Sequence, residues 1–265
     1  MISKSQTKYL SSLKEKKYRD REGKFLVEGL LLCEELVASA TYRKLIESLV
    51  FSPTEASSER ARKLIADWTA RGLTVKEIDA VGLKRLSDTV TPQGLIAVVR
   101  KAAVDFGDLL AAAPYCLLIL DGVTDPGNLG TILRTANWFG ADAVLLSANS
   151  VEWTNPKVVR SSMGAVFHIP VVSGLPLAET LSELANRGYS LFAAEAGGDT
   201  PFMAATFGKK NALIFGGETS GISQEVSPFV TTKLRIPGQG KCDSLNVAVA
   251  AGIILSEVFR RKSTS

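Results

Sequence analysis

The opening part of the chain alternates short apolar runs with stretches of helical spacing. Ser3 to about Lys17 reads as a helix with Tyr9, Leu10 and Leu13 on its inner side. Phe25-Leu-Val is a strand, Gly29 to about Ala38 a helix, and Leu49-Val-Phe a second strand. Between Glu59 and Arg71, Ala61, Leu64, Ile65 and Trp68 recur at helical intervals, which predicts an amphipathic helix. Thr74-Val-Lys-Glu-Ile alternates as a half-buried strand does. Val81 to Leu86 is a short helix, and Leu95-Ile-Ala-Val-Val99 closes the unit as a strand. The pattern predicts an alternating α/β domain over residues 1–103. The Ala-rich stretch 104–114 reads as a linker.

From residue 115 the apolar runs become continuous. Tyr115-Cys-Leu-Leu-Ile-Leu120 has the composition of a strand buried on both faces of a parallel sheet. Further strands are expected at Ala143–Leu146, Ala165–Val171, Ser190–Ala194 and Ala212–Phe215. Helices are expected at Leu129–Phe139, Pro156–Met163, Leu177–Arg187 and Leu245–Arg261. Residues 115–265 are thus expected to form an α/β domain on a parallel sheet. Polar residues collect where strands end, at 121–128, 149–155, 195–199, 216–223 and 237–246. Open α/β sheets bind ligands at that edge.

Composition narrows the possibilities. With 46% hydrophobic residues in 265, the chain can bury a sizeable core. The longest apolar run, Val247 to Leu255, is interrupted by Gly252 and falls short of the ~18 residues that span a bilayer. No apolar signal core opens the sequence, so a cytoplasmic protein without a membrane partner is expected. The formal charge is +4, but residues 1–25 hold eight Lys/Arg against three acids. Lys14, Lys16 and Lys17, interleaved with Tyr9 and Tyr18, are candidates for RNA phosphate contact, with a solvated helix face as the alternative.

Cys33, Cys116 and Cys242 form no CxxC pair and the chain has one histidine, His168, so no Cys/His zinc site can be assembled and no metal is expected. Ser-His-Asp or Cys-His catalysis would have to use His168, which lies in the apolar run Ala165–Val171 and reads as a packed or edge-strand residue, not a catalytic one. The turn after the first buried strand, Asp121-Gly-Val-Thr-Asp-Pro-Gly-Asn, lacks the GxGxxG of a dinucleotide site, and no GK[ST] of a phosphate loop is present. Ligand binding therefore falls to the late loops. The last of these runs from Arg235-Ile-Pro-Gly into an apolar helix through Ser244, Leu245 and Asn246. Ser244 is a favoured helix cap. Asn246, a mediocre helix former that is costly to bury unpaired, has no such structural reason.

Three motifs in order resemble those of the SpoU/TrmH-family RNA 2′-O-ribose methyltransferases of the SPOUT class. They are Leu120-Asp-Gly-Val-Thr-Asp-Pro-Gly-Asn-Leu-Gly-Thr-Ile-Leu-Arg-Thr-Ala136, Ile214-Phe-Gly-Gly-Glu-Thr-Ser-Gly-Ile-Ser223, and the passage Ile236 to Ala251. Asn155-Pro-Lys-Val-Val-Arg-Ser-Ser-Met-Gly-Ala165 is also similar to the family. Phe25-Leu-Val-Glu-Gly and Thr91-Pro-Gln-Gly-Leu resemble the ribosomal-protein-like substrate-binding domain often fused to it. Gly238 stands where the family commonly has a bulky apolar residue.

The resemblance implies a C-terminal parallel-sheet α/β domain with a deep trefoil knot, preceded by a smaller ribosomal-protein-like α/β domain, and a homodimer joined through the knotted domains. It implies S-adenosylmethionine held mainly by backbone groups around Gly216, Gly217, Ile236 and Leu245. It gives Arg134 the central catalytic position, with Asn128, Glu218, Ser244 and Asn246 as the other polar motif residues, and Arg160 as a candidate RNA phosphate contact. A guanidinium is a poor base, so Arg134 is expected to position hydroxyl and phosphate and to stabilise developing alkoxide charge. Taken singly, Asn128, Glu218 and Ser244 also read as turn or cap residues, and Arg134 as a surface arginine. The expected activity is S-adenosylmethionine-dependent 2′-O-methylation of ribosomal RNA. The alternatives are a tRNA substrate, a resistance enzyme acting on the ribosome, or a non-catalytic RNA-binding or ribosome-assembly protein retaining the fold.

Overall fold

The computed structural model describes residues 1–218 and 221–262. The chain divides into two compact units, one made of Met1–Ala103 with Thr154–Phe167, the other of the remaining described chain. In the first, helices α1 (Lys4–Ser12), α2 (Lys16–Glu22), α3 (Leu30–Ala38), α4 (Glu59–Ala70) and α5 (Ala80–Leu86) accompany strands β1 (Lys24–Glu28), β2 (Ile46–Phe51), β3 (Thr74–Glu77) and β4 (Leu95–Arg100). The sheet order is β1-β4-β2-β3, with β4 antiparallel to both neighbours and β3 parallel to β2.

The single helix expected from Ser3 to Lys17 is two helices, α1 and α2. Ser3 and Gln6 form a capping box that starts the first. Its end is fixed by Arg19, only 2% exposed, whose Nη1 donates to the Leu13 carbonyl at 2.9 Å and also to that of Lys14. A guanidinium that satisfies loose helix carbonyls stops the helix from running on. The two motif fragments of this unit hold loops. The Glu28 carboxylate accepts from Asp88 N at 2.9 Å, Thr89 Oγ1 at 2.7 Å and Ser87 Oγ. Gln93 Oε1 accepts from Leu30 N at 2.9 Å and so caps α3, which follows Gly29 at φ 110°.

The second unit carries strands β5 (Cys116–Asp121), β6 (Ala143–Ser147), β7 (Val171–Leu175), β8 (Ser190–Ala194), β9 (Thr200–Pro201), β10 (Asn211–Gly216) and β11 (Thr232–Arg235). Its helices are α6 (Phe106–Ala111), α7 (Pro126–Trp138), α9 (Leu177–Asn186) and α10 (Val247–Lys262), while α8 (Pro156–Ser161) belongs to the first unit. All pairings are parallel, in the order β7-β6-β5-β10-β8-β11-β9. Every residue of β5 is buried, as its unbroken apolar run dictates. β9 and β11 are additions to the sequence reading. Only Leu234 of the four β11 residues is buried, so no apolar pattern marks that strand. Since β10 lies between β5 and β8, the loops leaving β5 and β10 are neighbours at the point where strand order reverses.

At its far end α10 is clamped. Glu257 accepts from Arg260 at 2.7 and 2.8 Å and from Arg261 at 2.7 Å, and Lys262 Nζ lies 4.8 Å from the Tyr115 ring centroid. The arginine hydrogen bonds, Arg260's foremost, hold the Glu257 carboxyl down at about 2. Burial pushes the Cys33 and Cys116 thiols up to about 12, which leaves them unreactive.

Thr154–Phe167, expected within the C-terminal domain, packs instead with the first unit. Ser39 Oγ donates to the Phe167 carbonyl at 2.7 Å, and the Phe167 and Tyr42 rings lie 5.2 Å apart. Gly164 has φ +92°, and a Cβ there would come within 2.5 Å of Glu35 Cγ, so no other residue fits this turn. The strand expected over Ala165–Val171 is absent. Ala165–Phe167 form a 3-10 turn, held by Ala165 N to Ser162 O and Phe167 N to Gly164 O, and β7 begins only at Val171. His168 is exposed and outside any strand, which corrects its reading as a packed or edge-strand residue. Among the described residues no helix is long and apolar enough to cross a membrane.

Candidate active site

Asp125 and Pro126 start α7 earlier than the apolar pattern suggested. Asp125 caps the helix by accepting from Asn128 N at 2.8 Å, and proline, which has no amide to lose, fills the first helical position. Asn128 is thereby carried on the first turn. At the other end of the chain, α10 begins at Val247 and not at Leu245. Its cap is Asn246, whose Oδ1 accepts from Ala248 N at 2.9 Å and Val249 N at 3.3 Å. Ser244, expected to cap, makes no hydrogen bond among the described residues.

The cap fixes which way the Asn246 amide faces. With Oδ1 on the helix, Nδ2 is the donor, and it reaches Asn128 Oδ1 at 2.9 Å and Glu218 Oε1 at 2.9 Å. Asn128 is then fixed in turn, and its Nδ2 donates to Glu218 Oε1 at 2.6 Å. Two amides therefore converge on one carboxylate oxygen, and Oε2 is left without a donor among the described residues. The carboxylate also stands at the N-terminal ends of α7 and α10, where helix dipoles favour negative charge. Asn128, Glu218 and Asn246 come from three separate motifs.

Glu218 is held by residues to which the sequence reading gave no role. Asp121, 3% exposed at the end of β5, accepts through Oδ2 from Ser223 N at 2.8 Å, and its carbonyl accepts from Gly217 N at 2.8 Å. The loop leaving β10 is thus tied down at both ends. A Cβ on Gly216 would lie 2.2 Å from the Gly221 carbonyl, so glycine is required here by the chain's own turn. Thr219 and Ser220 of the second motif lie outside the described residues. A cleft of about 260 Å3 opens beside the triad, lined by Gly122, Thr124, Asn128, Asn149, Glu218 and Val247 among others.

Arg134 is exposed on α7, six positions after Asn128 and so roughly 120° around the helix from it. It has no hydrogen-bond or ion-pair partner among the described residues, and within this chain it does not join the triad. It shares its face with Trp138, which is 81% exposed. Ile236 is half-buried and Leu245 is exposed, on a loop whose amides 236–246 donate to no main-chain acceptor among the described residues.

In the first unit, Lys14 Nζ donates to the Ser87 carbonyl, Lys16 lies 3.8 Å from Asp20, and Arg160 pairs with Asp88 at 3.0 Å. Of these candidates Lys17 alone is exposed without a partner among the described residues. Lys4 and Lys8 of α1 and Lys84 and Arg85 of α5 are likewise exposed, with side chains unpaired among the described residues. The two helices lie side by side, with Ser11 Oγ donating to the Arg85 carbonyl at 3.2 Å. Lys84 and Arg85 escaped the sequence reading because they are distant from the basic opening segment in the chain.

A family model described as the SpoU rRNA Methylase family matches residues 115–256, and one described as the MRM3-like substrate binding domain matches residues 4–97. The curated 23S rRNA (guanosine-2'-O-)-methyltransferase RlmB of Xylella fastidiosa is 35% identical, over 79% of this chain and 87% of its own length. The 23S rRNA (guanosine(2553)-2'-O)-methyltransferase RlmP of Bacillus subtilis is 34% identical, over 91% of this chain and 90% of its own. The crystal structure of the SpoU methyltransferase AviRb from Streptomyces viridochromogenes, in complex with AdoMet, superposes with a TM-score of 0.86 at 26% identity, covering 99% of this chain and 100% of that one.

Proposed function

Because the chain belongs to the SpoU rRNA methylase family, we propose that it transfers the methyl group of S-adenosylmethionine to a ribose 2′-hydroxyl of ribosomal RNA in the cytoplasm. The observation that carries this reading is the convergence of Asn128 and Asn246 on Glu218 at the edge of a cleft. An acceptor oxygen on a pre-oriented carboxylate suits a ribose hydroxyl, and the amides hold that carboxylate still while the hydroxyl docks.

The loop 236–246 fits the cofactor. It offers main-chain amides with no main-chain acceptor among the described residues, along with the apolar side chains of Ile236 and Leu245, and its last residue, Asn246, bonds Glu218, which follows Gly216 and Gly217. When bound, S-adenosylmethionine supplies an electrophilic methyl group on sulfur. Arg134, always charged, orients the hydroxyl and its neighbouring phosphate and stabilises negative charge growing on the oxygen. Ser244 lies on the same loop as the cofactor groups and contributes a hydroxyl there. The strand order, with β10 inserted between β5 and β8, supports the deep trefoil knot expected of the fold.

The reading includes a homodimer. Trp138 and Val249 expose 81% and 51% of their surface on α7 and α10, helices that pack against each other. A second copy seated on these helices would cover such residues and bring other groups to Arg134. The first unit supplies the RNA-binding surface, including Lys17 and, once freed from their present partners, Lys14, Lys16 and Arg160.

Methyl-labelled S-adenosylmethionine incubated with rRNA from cells lacking the gene tests the proposal. Label at one ribose 2′-oxygen is expected, abolished by Arg134→Ala with cofactor affinity retained. Transfer to a base, or to no RNA by a folded protein, would overturn it.

A further inference from the structure

Beside the triad, the cleft is lined by a side chain that no part of the mechanism uses. The strand β6 ends at Ser147, and the residues after it are sewn onto the loop that follows β5. Ser147 Oγ accepts from Gly122 N at 2.9 Å, and Ser150 Oγ accepts from Val123 N at 3.2 Å. A serine hydroxyl has a single proton. Ser147 Oγ donates to Asn149 Oδ1 at 2.5 Å and also stands 2.8 Å from Ser150 Oγ, whose own proton goes to the Leu120 carbonyl at 3.1 Å; the Asn149 carboxamide lies with its oxygen turned back into the loop and its nitrogen turned out. Nδ2 passes over Gly122, where a Cβ would lie 3.3 Å from it. Gly122 has φ +70° and no side chain, so it leaves that nitrogen room. Both N–H groups of Asn149 are without an acceptor among the described residues, and the side chain lines the cleft together with Asn128 and Glu218.

We propose that Asn149 is a positioning residue for the RNA substrate, its Nδ2 donating to an acceptor oxygen of the nucleotide bound in the cleft. The inference rests on the methyl-transfer reading. Its physical content is polarity. Glu218 offers an acceptor, so it can hold a hydroxyl, whereas Asn149 offers donors only. A nucleotide spanning the cleft would be gripped by hydroxyl on one side and by carbonyl or phosphate oxygen on the other. A simple turn role for Asn149 would use Oδ1 alone and leave both N–H groups without a function. The loop that holds Asn149 is the one through which Asp125 caps α7, so donor and triad share one support.

The test compares wild type with Asn149→Asp, which keeps the shape and the Oδ1 contact but replaces both donors by an acceptor, and with Asn149→Gln, which restores an amide. Purified rRNA from cells lacking the gene is the probe for both equilibrium binding and methyl transfer. Asn149→Asp is expected to raise KM for rRNA and weaken its binding about tenfold, with the affinity for S-adenosylmethionine and the melting temperature unchanged. Asn149→Gln is expected to recover part of the loss. Rescue of tight binding by synthetic fragments bearing an uncharged methylphosphonate would assign the partner to phosphate, and insensitivity to that change would assign it to a base carbonyl. Unchanged KM and rRNA binding in Asn149→Asp would overturn the inference, as would a parallel loss of cofactor affinity. Should wild type bind rRNA and transfer nothing, weaker binding by Asn149→Asp would still uphold the donor role while the methyl-transfer reading failed.

Discussion

In the first unit, polar side chains are consumed by their own fold: Lys14 holds a carbonyl of the α5 end, Arg19 closes α1, and Arg160 is paired with Asp88. At the strand ends of the second unit, polar side chains bind one another, and their remaining atoms, such as Glu218 Oε2 and Asn149 Nδ2, face a cleft. The two regions differ in what is left over once partners are found. In the basic opening segment Lys14 and Lys16 are spent on the fold, while Lys4, Lys8 and Lys17 stay exposed without partners among the described residues. Residues brought together from motifs 90 positions apart have no local partner to choose, and they meet only where the fold puts them. Local charge density is therefore a weaker guide to a site than spacing across distant motifs.

The largest effect is expected within the triad. Glu218→Ala should lower methyl transfer by ~10²–10³-fold while far-ultraviolet circular dichroism stays the same; a change below tenfold would reduce the triad to a structural clasp. Asn246→Asp separates its two duties. The helix cap survives, but a second carboxylate faces Glu218, so activity should fall nearly as far with little loss of stability. Asn246→Ala should in addition cost about 1 kcal/mol in denaturant unfolding, the usual worth of a cap.

The first unit offers the next largest effect. Reversing Lys8, Lys84 and Arg85 to glutamate should weaken rRNA binding and make the log–log salt slope shallower by about 2, three phosphate contacts at ~0.7 each. Reversing Lys14 and Lys16 should change that slope less and lower the melting temperature more, because Lys14 is holding Ser87. Equal slopes in the two variants would put the whole basic segment back on the RNA.

The smallest effect concerns the α10 clamp. The Glu257 carboxyl is held at about 2, below its ordinary value of 4.5. Such a group stabilises the fold fully above about 4.5, and the contribution is lost as pH falls toward 2. Glu257→Gln should melt a few degrees below wild type at neutral pH, with the gap closing on acidification. A gap that is constant with pH would mean packing, not charge, holds the end of the helix.

Much of this was legible in the chain. β5 announced itself by an unbroken apolar run, and the three motifs named Asn128, Glu218 and Asn246 together. What escaped depends on partners that no local pattern carries. Arg19 looked like one more surface cation, yet it breaks the first helix. Ser244 has the better local credentials for a cap, but it is Asn246 that the amides of Ala248 and Val249 reach. Asp121 had no role of its own in the motif, and that role appears only with Ser223, 102 positions later. β11 lacked an apolar signature because its exposed residues face away from the core that holds Leu234.

The double duty of Asn246 couples two equilibria. One carboxamide both begins α10 and immobilises the carboxylate beside the cleft, so every fraying of the first helical turn is also an opening of the site. Hydrogen exchange at the Ala248 and Val249 amides should therefore report the fraction of molecules competent to act, and substrate that occupies the cleft should slow it. On warming, activity is expected to fade with that local opening, ahead of the cooperative unfolding of the sheet.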